Sequence, residues 1–337
     1  MLSVRKLAAL AGVSIATVSR AMRDDPCVRP ETRRRILALA EEFHYNPNRL
    51  TQGLLSGKSR TIGFVVPDLY NSSYVEMLSG ALKEAYQHDQ QVIVAEGHTS
   101  AAQLSARFSQ LVEQRVDGIV VRPAFNDEIP RASLLEAGSY GVITVGIDLY
   151  KVTTPLNHVH SDEDQLASLV VDYLVSLGHR VMAFVGQMAH HRVFGRGLAV
   201  YNALQQRGLP THLFVDSPPR AVEPAYARHV LRQLMTNANP PTAIIGWDDL
   251  VACRLVQQAA LCQLRVPHDV SIIGAGNMML AEYTVPTVTS VEQFAAERGQ
   301  AAVRLILEHL EDHAHPLETV SIPCQIVERE SCGPPPQ

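Results

Sequence analysis

Apolar positions in the first 45 residues recur with a helical period. Val4, Leu7, Ala8 and Ala11 fall at i, i+3, i+4 and i+7, one buried stripe on a short helix. Gly12 follows, free to take a positive φ at a tight turn, and predicts the end of that helix. Ser14 is placed to cap a second helix over residues 15–22, with Val18 and Ala21 inward. A third helix is predicted over residues 31–43, with Ile36, Leu39, Ala40 and Phe43 inward and the basic run 33–35 outward. From residue 61 the pattern changes. Apolar, strand-like runs at 61–68, 91–97, 117–123, 141–148, 180–186, 212–216, 242–248 and 270–276 alternate with amphipathic stretches such as 74–88, 101–115, 164–177 and 250–261. Near-continuous apolar runs separated by helices imply parallel sheets covered on both faces. Some 270 residues is large for one such sheet, which predicts two doubly wound lobes behind a small all-α head.

Charge divides along the same line. Residues 1–60 hold eleven Lys/Arg against five Asp/Glu, a balance of +6; the remainder holds 18 against 29, or −11. A small basic head on an acidic body is the electrostatic footprint of nucleic-acid binding. The spacing Ala8-x3-Gly12-x5-Val18 suits two helices crossing steeply: a small residue at the crossing, glycine at the corner, a branched residue locking the second helix. That is helix-turn-helix spacing, with a plain three-helix bundle as the alternative. The five cysteines are scattered and form no C-x-x-C pair, which fits free thiols in a reducing cytosol better than disulfides or zinc. No run approaches the 18 apolar residues of a membrane span, and the N-terminus lacks a secretory pattern, so a cytoplasmic protein is expected.

Ligands of open α/β sheets sit beyond the carboxyl ends of the strands. Those ends read Pro67-Asp68, Val121-Arg122, Ile147-Asp148, Gly186-Gln187, Trp247-Asp248-Asp249 and Gly276-Asn277. Carboxylates, an arginine and amides together suit a ligand dense in hydroxyls. Trp247, the only tryptophan, could pack on the C–H face of a sugar or could be a core residue.

The stretch Ala11-Gly12-Val13-Ser14-Ile15-Ala16-Thr17-Val18-Ser19-Arg20 closely resembles the head of the lactose/galactose repressor family. So do Pro30-Glu31-Thr32-Arg33, Tyr45-Asn46-Pro47-Asn48, Arg60-Thr61-Ile62-Gly63 with Val65-Val66-Pro67-Asp68, and Val327-Glu328-Arg329-Glu330-Ser331. The resemblance covers nearly the whole chain. It implies an α/β fold with a helix-turn-helix head (1–46), a hinge helix (47–59) and a periplasmic-binding-protein-like core. The N-terminal lobe would be 60–160 with 291–320, the C-terminal lobe 161–290 with 321–332, and 333–337 a disordered tail. The chain would cross between lobes near His160, Val291 and Ser321.

The resemblance also implies roles. Ile15 and Ala16 would open the recognition helix, pressing on thymine methyls rather than making bidentate contacts. Arg20 would contact a guanine or phosphate, while Ser14, Thr17 and Ser19 would bond phosphates. Asn48 and Arg49 belong to the DNA-facing hinge, and Leu54 would wedge a base step in the minor groove. Thr51 and Gly53 depart from the family there, and a helix-interior glycine costs roughly 0.5–1 kcal/mol, so this hinge would depend on DNA to fold. Tyr74, Asp148, Asp162, Arg196 and Asp249 would touch an effector, alongside Asp68, Arg122 and Trp247 at the strand ends. Packing for Tyr74, an ion pair for Arg196 and helix capping for Asp248 or Asp249 are the alternatives. Ser73, Asp248 and Ala275-Gly276-Asn277 depart from the family pattern, so no particular sugar carries over.

Other chemistry is weakly signalled. Gly53-Leu-Leu-Ser-Gly57-Lys58-Ser59 has three residues between its glycines where a phosphate loop needs four, and 274–279 lacks a third glycine for a dinucleotide. His309, His313 and His315 suit a helix C-terminus better than a metal. The expectation is a non-enzymatic, ligand-switched repressor without cofactor or metal. It would act as a homodimer on palindromic operator DNA, answering to a sugar or sugar derivative. A sugar receptor and a sugar- or nucleoside-acting enzyme are the competing classes, the first having no use for a basic head.

Overall fold

The computed structural model describes residues 3–22, 25–45, 58–97, 100–123, 129–149, 154–186, 195–216 and 223–336. The chain divides into two units, Met1–Ser59 and Arg60–Gln337. In the first, α1 (Val4–Leu10), α2 (Ile15–Met22) and α3 (Pro30–Glu42) close around Leu7, Ala8, Ala11, Val18, Ala21, Val28, Ile36 and Ala40. Gly12 takes φ +62° at the corner. The Val13 N–H then returns to the Ala8 carbonyl at 3.0 Å. Ser14 Oγ accepts from the Thr17 N–H at 3.1 Å, capping α2. Phe43, expected inward, is 42 % exposed: α3 ends at Glu42, and Tyr45 packs against the small core in its place. Asn48, Arg49 and Leu54 lie outside the described residues.

In the second unit the chain runs β1 (Thr61–Val66), α4 (Ser72–Gln87), β2 (Gln91–Glu96), α5 (Ala101–Glu113), β3 (Gly118–Val121), α6 (Arg131–Ser139), β4 (Ile143–Ile147) and β5 (Asn157–Ser161). It continues through α7 (Glu163–Ser176), β6 (Met182–Gly186), α8 (Arg196–Gln206), β7 (Phe214–Asp216), α9 (Pro224–Met235), β8 (Ala243–Gly246), α10 (Asp249–Leu261) and β9 (Ser271–Ile273). It ends with β10 (Ser290–Glu292), α11 (Ala295–Glu311), β11 (Thr319–Ile322) and β12 (Gln325–Val327). Each of the eight apolar runs contains a strand. One sheet has the order β11-β5-β4-β3-β1-β2 and the other β7-β6-β8-β9, with every pairing parallel. The chain leaves the first sheet after β5 and returns through β10 to α11, which packs on that sheet. It leaves again between β11 and β12, and β10 and β12 form an antiparallel pair.

Strand β5 escaped the periodicity because its sequence, Asn-His-Val-His-Ser, is polar although largely buried. Its polar groups are satisfied: Asn157 Oδ1 accepts from the Glu318 N–H at 2.9 Å and Nδ2 meets His309 at 3.3 Å. The C-terminal segment, expected to be disordered from residue 333, is instead held against the second lobe. Gly333 O meets buried His179 at 2.9 Å and accepts from the Ser271 hydroxyl at 3.1 Å.

Helices α4 and α11 approach backbone to backbone over the first sheet. A Cβ on Gly80 would lie 1.9 Å from the Ala296 carbonyl oxygen, and one on Gly299 would lie 1.9 Å from that of Met77. No rotamer change can relieve such contacts. Gly299→Ala is therefore expected to force the helices apart and cost about 1–3 kcal/mol. Gly138→Ala, on α6 with open space around it, is the control expected to cost nothing. Urea midpoints of the two variants check this; equal midpoints would mean the crossing is not tight.

Candidate ligand cleft and nucleic-acid interface

The carboxyl ends of both sheets open on one cleft enclosing about 380 Å3 of space, part of it open to solvent. On the first-lobe wall, Arg122 follows β3, and Asp148 follows β4 with a left-handed φ of +47°. Tyr74 stands in the first turn of α4, behind the Asn71 cap. On the second-lobe wall, Trp247 and Asp248 follow β8, Arg196 opens α8 behind Gly195 (φ +83°), and Glu163 lies in the first turn of α7. Gln293, in the crossing after β10, and Arg298, on α11, complete the rim.

Two charged clusters organise this space. Arg196 makes a two-pronged contact with Glu163, Nε and Nη2 at 2.7 and 2.8 Å. Its Nη1 donates to the Trp247 carbonyl, Nη2 also reaches Gln293 Oε1 at 3.2 Å, and its guanidinium stacks over the Trp247 ring at 5.0 Å. Asp148 holds the other cluster. Arg298 Nη1 donates to its Oδ2, Arg122 Nε lies 3.6 Å away, and the Ser161 N–H donates to Oδ1 at 3.2 Å. Burial alone would raise the Asp148 carboxyl; Arg298 and Arg122 outweigh it and hold the group below the usual carboxylate range. Arg122 also lies 5.4 Å over the Tyr74 ring. Gln293 links the clusters, its Nε2 donating to Ser161 Oγ at 2.7 Å.

Tyr74, Arg122, Asp148, Arg196 and Trp247 are thus brought to the cleft. Trp247 is also core: 3 % exposed, it packs edge-on to Phe184 with centroids 6.4 Å apart. Asp68, Asp162 and Asp249 do not line the cleft. Asp68 accepts from the Tyr70 and Asn71 N–H groups at 2.9 and 3.1 Å, shaping a turn. Asp162 caps α7 through the Gln165 N–H at 2.8 Å. Asp249 accepts from the Met278 N–H at 2.7 Å and the Ser290 hydroxyl at 2.6 Å, and is fully buried. Asp248 both caps α10, through the Val251 N–H at 2.9 Å, and lines the cleft. Sequence reasoning missed Glu163, Gln293 and Arg298. Arg298 had a signal: it stands on the apolar stripe of α11 with Ala295, Ala302, Leu305 and Ile306.

In the head, Ile15, Ala16 and Arg20 are exposed along α2, while Val18 turns inward. Arg20 Nε lies 3.9 Å from Asp25, a loose surface pair. Thr17 Oγ1 is hydrogen-bonded to Ser14 Oγ at 2.9 Å, and Ser19 is partly buried. Among the described residues no group of three His, Cys, Asp or Glu side chains is arranged to hold a metal ion.

Comparison with known proteins places this geometry. Residues 4–48 match the family described as bacterial regulatory proteins, lacI family, and residues 171–332 match a periplasmic binding protein-like domain. Catabolite control protein A of Priestia megaterium is 29 % identical over 331 residues, covering 95 % of this chain and 96 % of its own. The transcriptional repressor PurR of Salmonella paratyphi B is 25 % identical over 340 residues, covering 100 % of this chain and 98 % of its own. In fold, the chain is similar to the lac repressor dimer bound to operator and the anti-inducer ONPF. The TM-score is 0.84 at 22 % identity, with 98 % of each chain covered. A complex of the regulator CelR with cellobiose superposes with a TM-score of 0.70 at 22 % identity, covering 98 % of this chain and 100 % of that one.

Asp249 carries a pH dependence. Burial, with Asp248 adding to it against the Ser290 and Met278 hydrogen bonds, pushes its carboxyl from 3.8 up to about 7. The neutral form is favoured in the fold. The stability it lends is present below its ordinary value and is lost as pH rises through about 7. Asp249→Asn keeps a carbonyl for the Met278 N–H and turns its NH2 to the Ser290 hydroxyl. It is expected to gain stability relative to wild type as pH rises through that window. Urea midpoints of both proteins across the window check this, and parallel curves would place the titration elsewhere.

Proposed function

The chain belongs to the lacI family of bacterial regulatory proteins, and from that premise we propose that it is a transcription repressor whose operator affinity is set by a small polar effector in the interlobe cleft. The observation that carries the reading is the pairing, in one chain, of a basic helix-turn-helix head that exposes Ile15, Ala16 and Arg20 along α2 with a cleft walled by charged side chains at the carboxyl ends of two parallel sheets. Its effector is a sugar or sugar derivative: carboxylates and guanidinium groups beside the Trp247 ring suit a ligand with many hydroxyls and C–H faces. The protein works in the cytoplasm and catalyses no reaction. Among the described residues no helix is long and apolar enough to cross a membrane.

The switch follows from the polar chain Asp148–Ser161–Gln293–Arg196, which runs from one wall to the other through the crossings. A ligand touching both walls favours one lobe arrangement over the other, and it shifts the equilibrium only by its differential affinity for the two. The protein acts as a homodimer on an imperfect palindrome, each head reading a half-site. We infer the surface for the second copy from Val75, Leu82 and Tyr86, an exposed stripe on α4, with exposed Val94 on the same face of the edge strand β2.

Arg20→Ala is expected to lose about 1–3 kcal/mol or more at the operator with ligand binding intact, as for one good base contact. A fluorescence-anisotropy titration with operator DNA checks this, and unchanged affinity would mean that α2 does not read bases. Trp247 supplies a readout at the other end. The effector, found by a thermal-shift screen of sugars, sugar acids, sugar phosphates and purines, is expected to change its emission saturably. A verified effector that leaves the emission flat would put the ligand away from the second-lobe wall.

A further inference from the structure

Arg298 is the most deeply buried charge of the cleft, 2 % exposed, and it lines the ligand space. It stands on α11 one residue before Gly299, whose contact with Met77 fixes its height over the first sheet. Its Nη1 donates to Asp148, a carboxylate that also sits 3.6 Å from Arg122 and accepts from the Ser161 N–H. Among the described residues no acceptor meets its buried Nε–H. Of the other acids near it, Glu292 accepts from Asn277 Nδ2 at 2.7 Å and the Phe294 N–H at 2.6 Å, Glu163 is held two-pronged by Arg196, and Glu76, outside the cleft lining, feels the Arg298 charge while burial and Glu292 push its carboxyl up. A buried guanidinium with a shared carboxylate and an open donor is costly until an acceptor of opposite charge arrives.

Resting on the reading of this cleft as the effector site, we infer that the effector is anionic, a sugar acid or sugar phosphate whose charged group is received by Arg298 on the first-lobe wall. The walls are asymmetric in the required way. Glu163 and Asp248 on the second-lobe wall offer oxygens to hydroxyl groups, while Arg298 and the N-terminal turn of α4, with its partial positive charge, face the other end. A carboxylate or phosphate would bring the Arg298 guanidinium both an acceptor and an opposite charge; a neutral hydroxyl brings only the first.

The test is calorimetric titration of the full chain with matched compounds: D-gluconate and D-glucose 6-phosphate against D-glucose, D-galacturonate and D-galactose 1-phosphate against D-galactose, and D-ribose 5-phosphate against D-ribose. An acid or phosphate is expected to bind at least tenfold tighter than its neutral parent, the responding arm telling carboxylate from phosphate. This preference is read on the unaltered protein and needs no variant to fold. Arg298→Met is expected to lose at least tenfold on that compound and with it the preference over the neutral parent, and Arg298→Lys is expected to retain part of the preference. A neutral sugar binding as tightly as its acid and phosphate overturns the inference and leaves the effector cleft standing. So does a panel in which no anionic member binds while neutral sugars do. An anion bound equally well by wild type, Arg298→Met and Arg196→Met lies outside the cleft, which overturns the inference and the cleft reading together. No binding by any member overturns the inference for both carboxylate and phosphate sugars.

Discussion

The carboxylate of Asp148 is the point on which the cleft is strung. It stands at the end of β4 in a left-handed conformation, buried between Arg298 and Arg122, with the Ser161 N–H on its remaining side. Buried ion pairs often add little net stability, because desolvation takes back most of the Coulombic gain; removing one partner is another matter. Without Asp148, two guanidinium groups would face each other in a nearly dry space. The carboxylate also lies where β4 hands over to β5, the last strand before the chain leaves the first lobe. Position in the sheet therefore makes one ion cluster both a wall of the cleft and a fastening of the crossing.

Packing decides which side chains reach that cluster. The close approach of α4 and α11, permitted by Gly80 and Gly299, sets where Arg298 projects and where Tyr74 meets Arg122. An apolar stripe that admits an arginine at its end is a local conflict with the rule that charge stays outside. It is tolerated here because the stripe runs out at the strand ends, where the apolar core of the first lobe gives way to the cleft. The second lobe uses Trp247 for the same transition: one edge packs on Phe184 in the core and the face carries Arg196.

Much of this was legible before any coordinates. The head's helices, the glycine corner and eight strands follow from periodicity, because burial on one face or both leaves a strong mark in the apolar pattern. Five of the eight proposed effector residues line the cleft: Arg122, Asp148 and Trp247 sit where parallel strands end, a position that topology dictates, while Tyr74 and Arg196, at helix starts, were reached through the family resemblance. The remaining three, Asp68, Asp162 and Asp249, share those strand-end or crossing positions, but their oxygens are occupied by backbone N–H groups two or three residues on, or by Met278 and Ser290. An aspartate at a strand end serves a ligand or a backbone donor with the same chemistry, and only the turn geometry separates the two. Glu163, Gln293 and Arg298 were hidden for a different reason. They come from helix starts and from a crossing, whose approach to the strand ends depends on the tertiary fold.

The first residue of the second unit is fixed to the first sheet. Arg60, the first residue of the second unit, is pinned to the first sheet at two points: its N–H donates to Asp117 Oδ2 at 2.7 Å, and its carbonyl accepts from the Gln91 N–H at 2.8 Å. It is therefore tied to the start of β2 and to the residue before β3, directly ahead of β1. Strand β1 leads to α4, which carries Tyr74, and β3 leads to Arg122, so the strands that fix the linker root end in the cleft wall. A parallel sheet packed on both faces bends little, so the linker root and the cleft wall belong to one body. Coupling of this kind needs no dedicated pathway through the body, only a rigid first lobe and a cleft that joins it to the second.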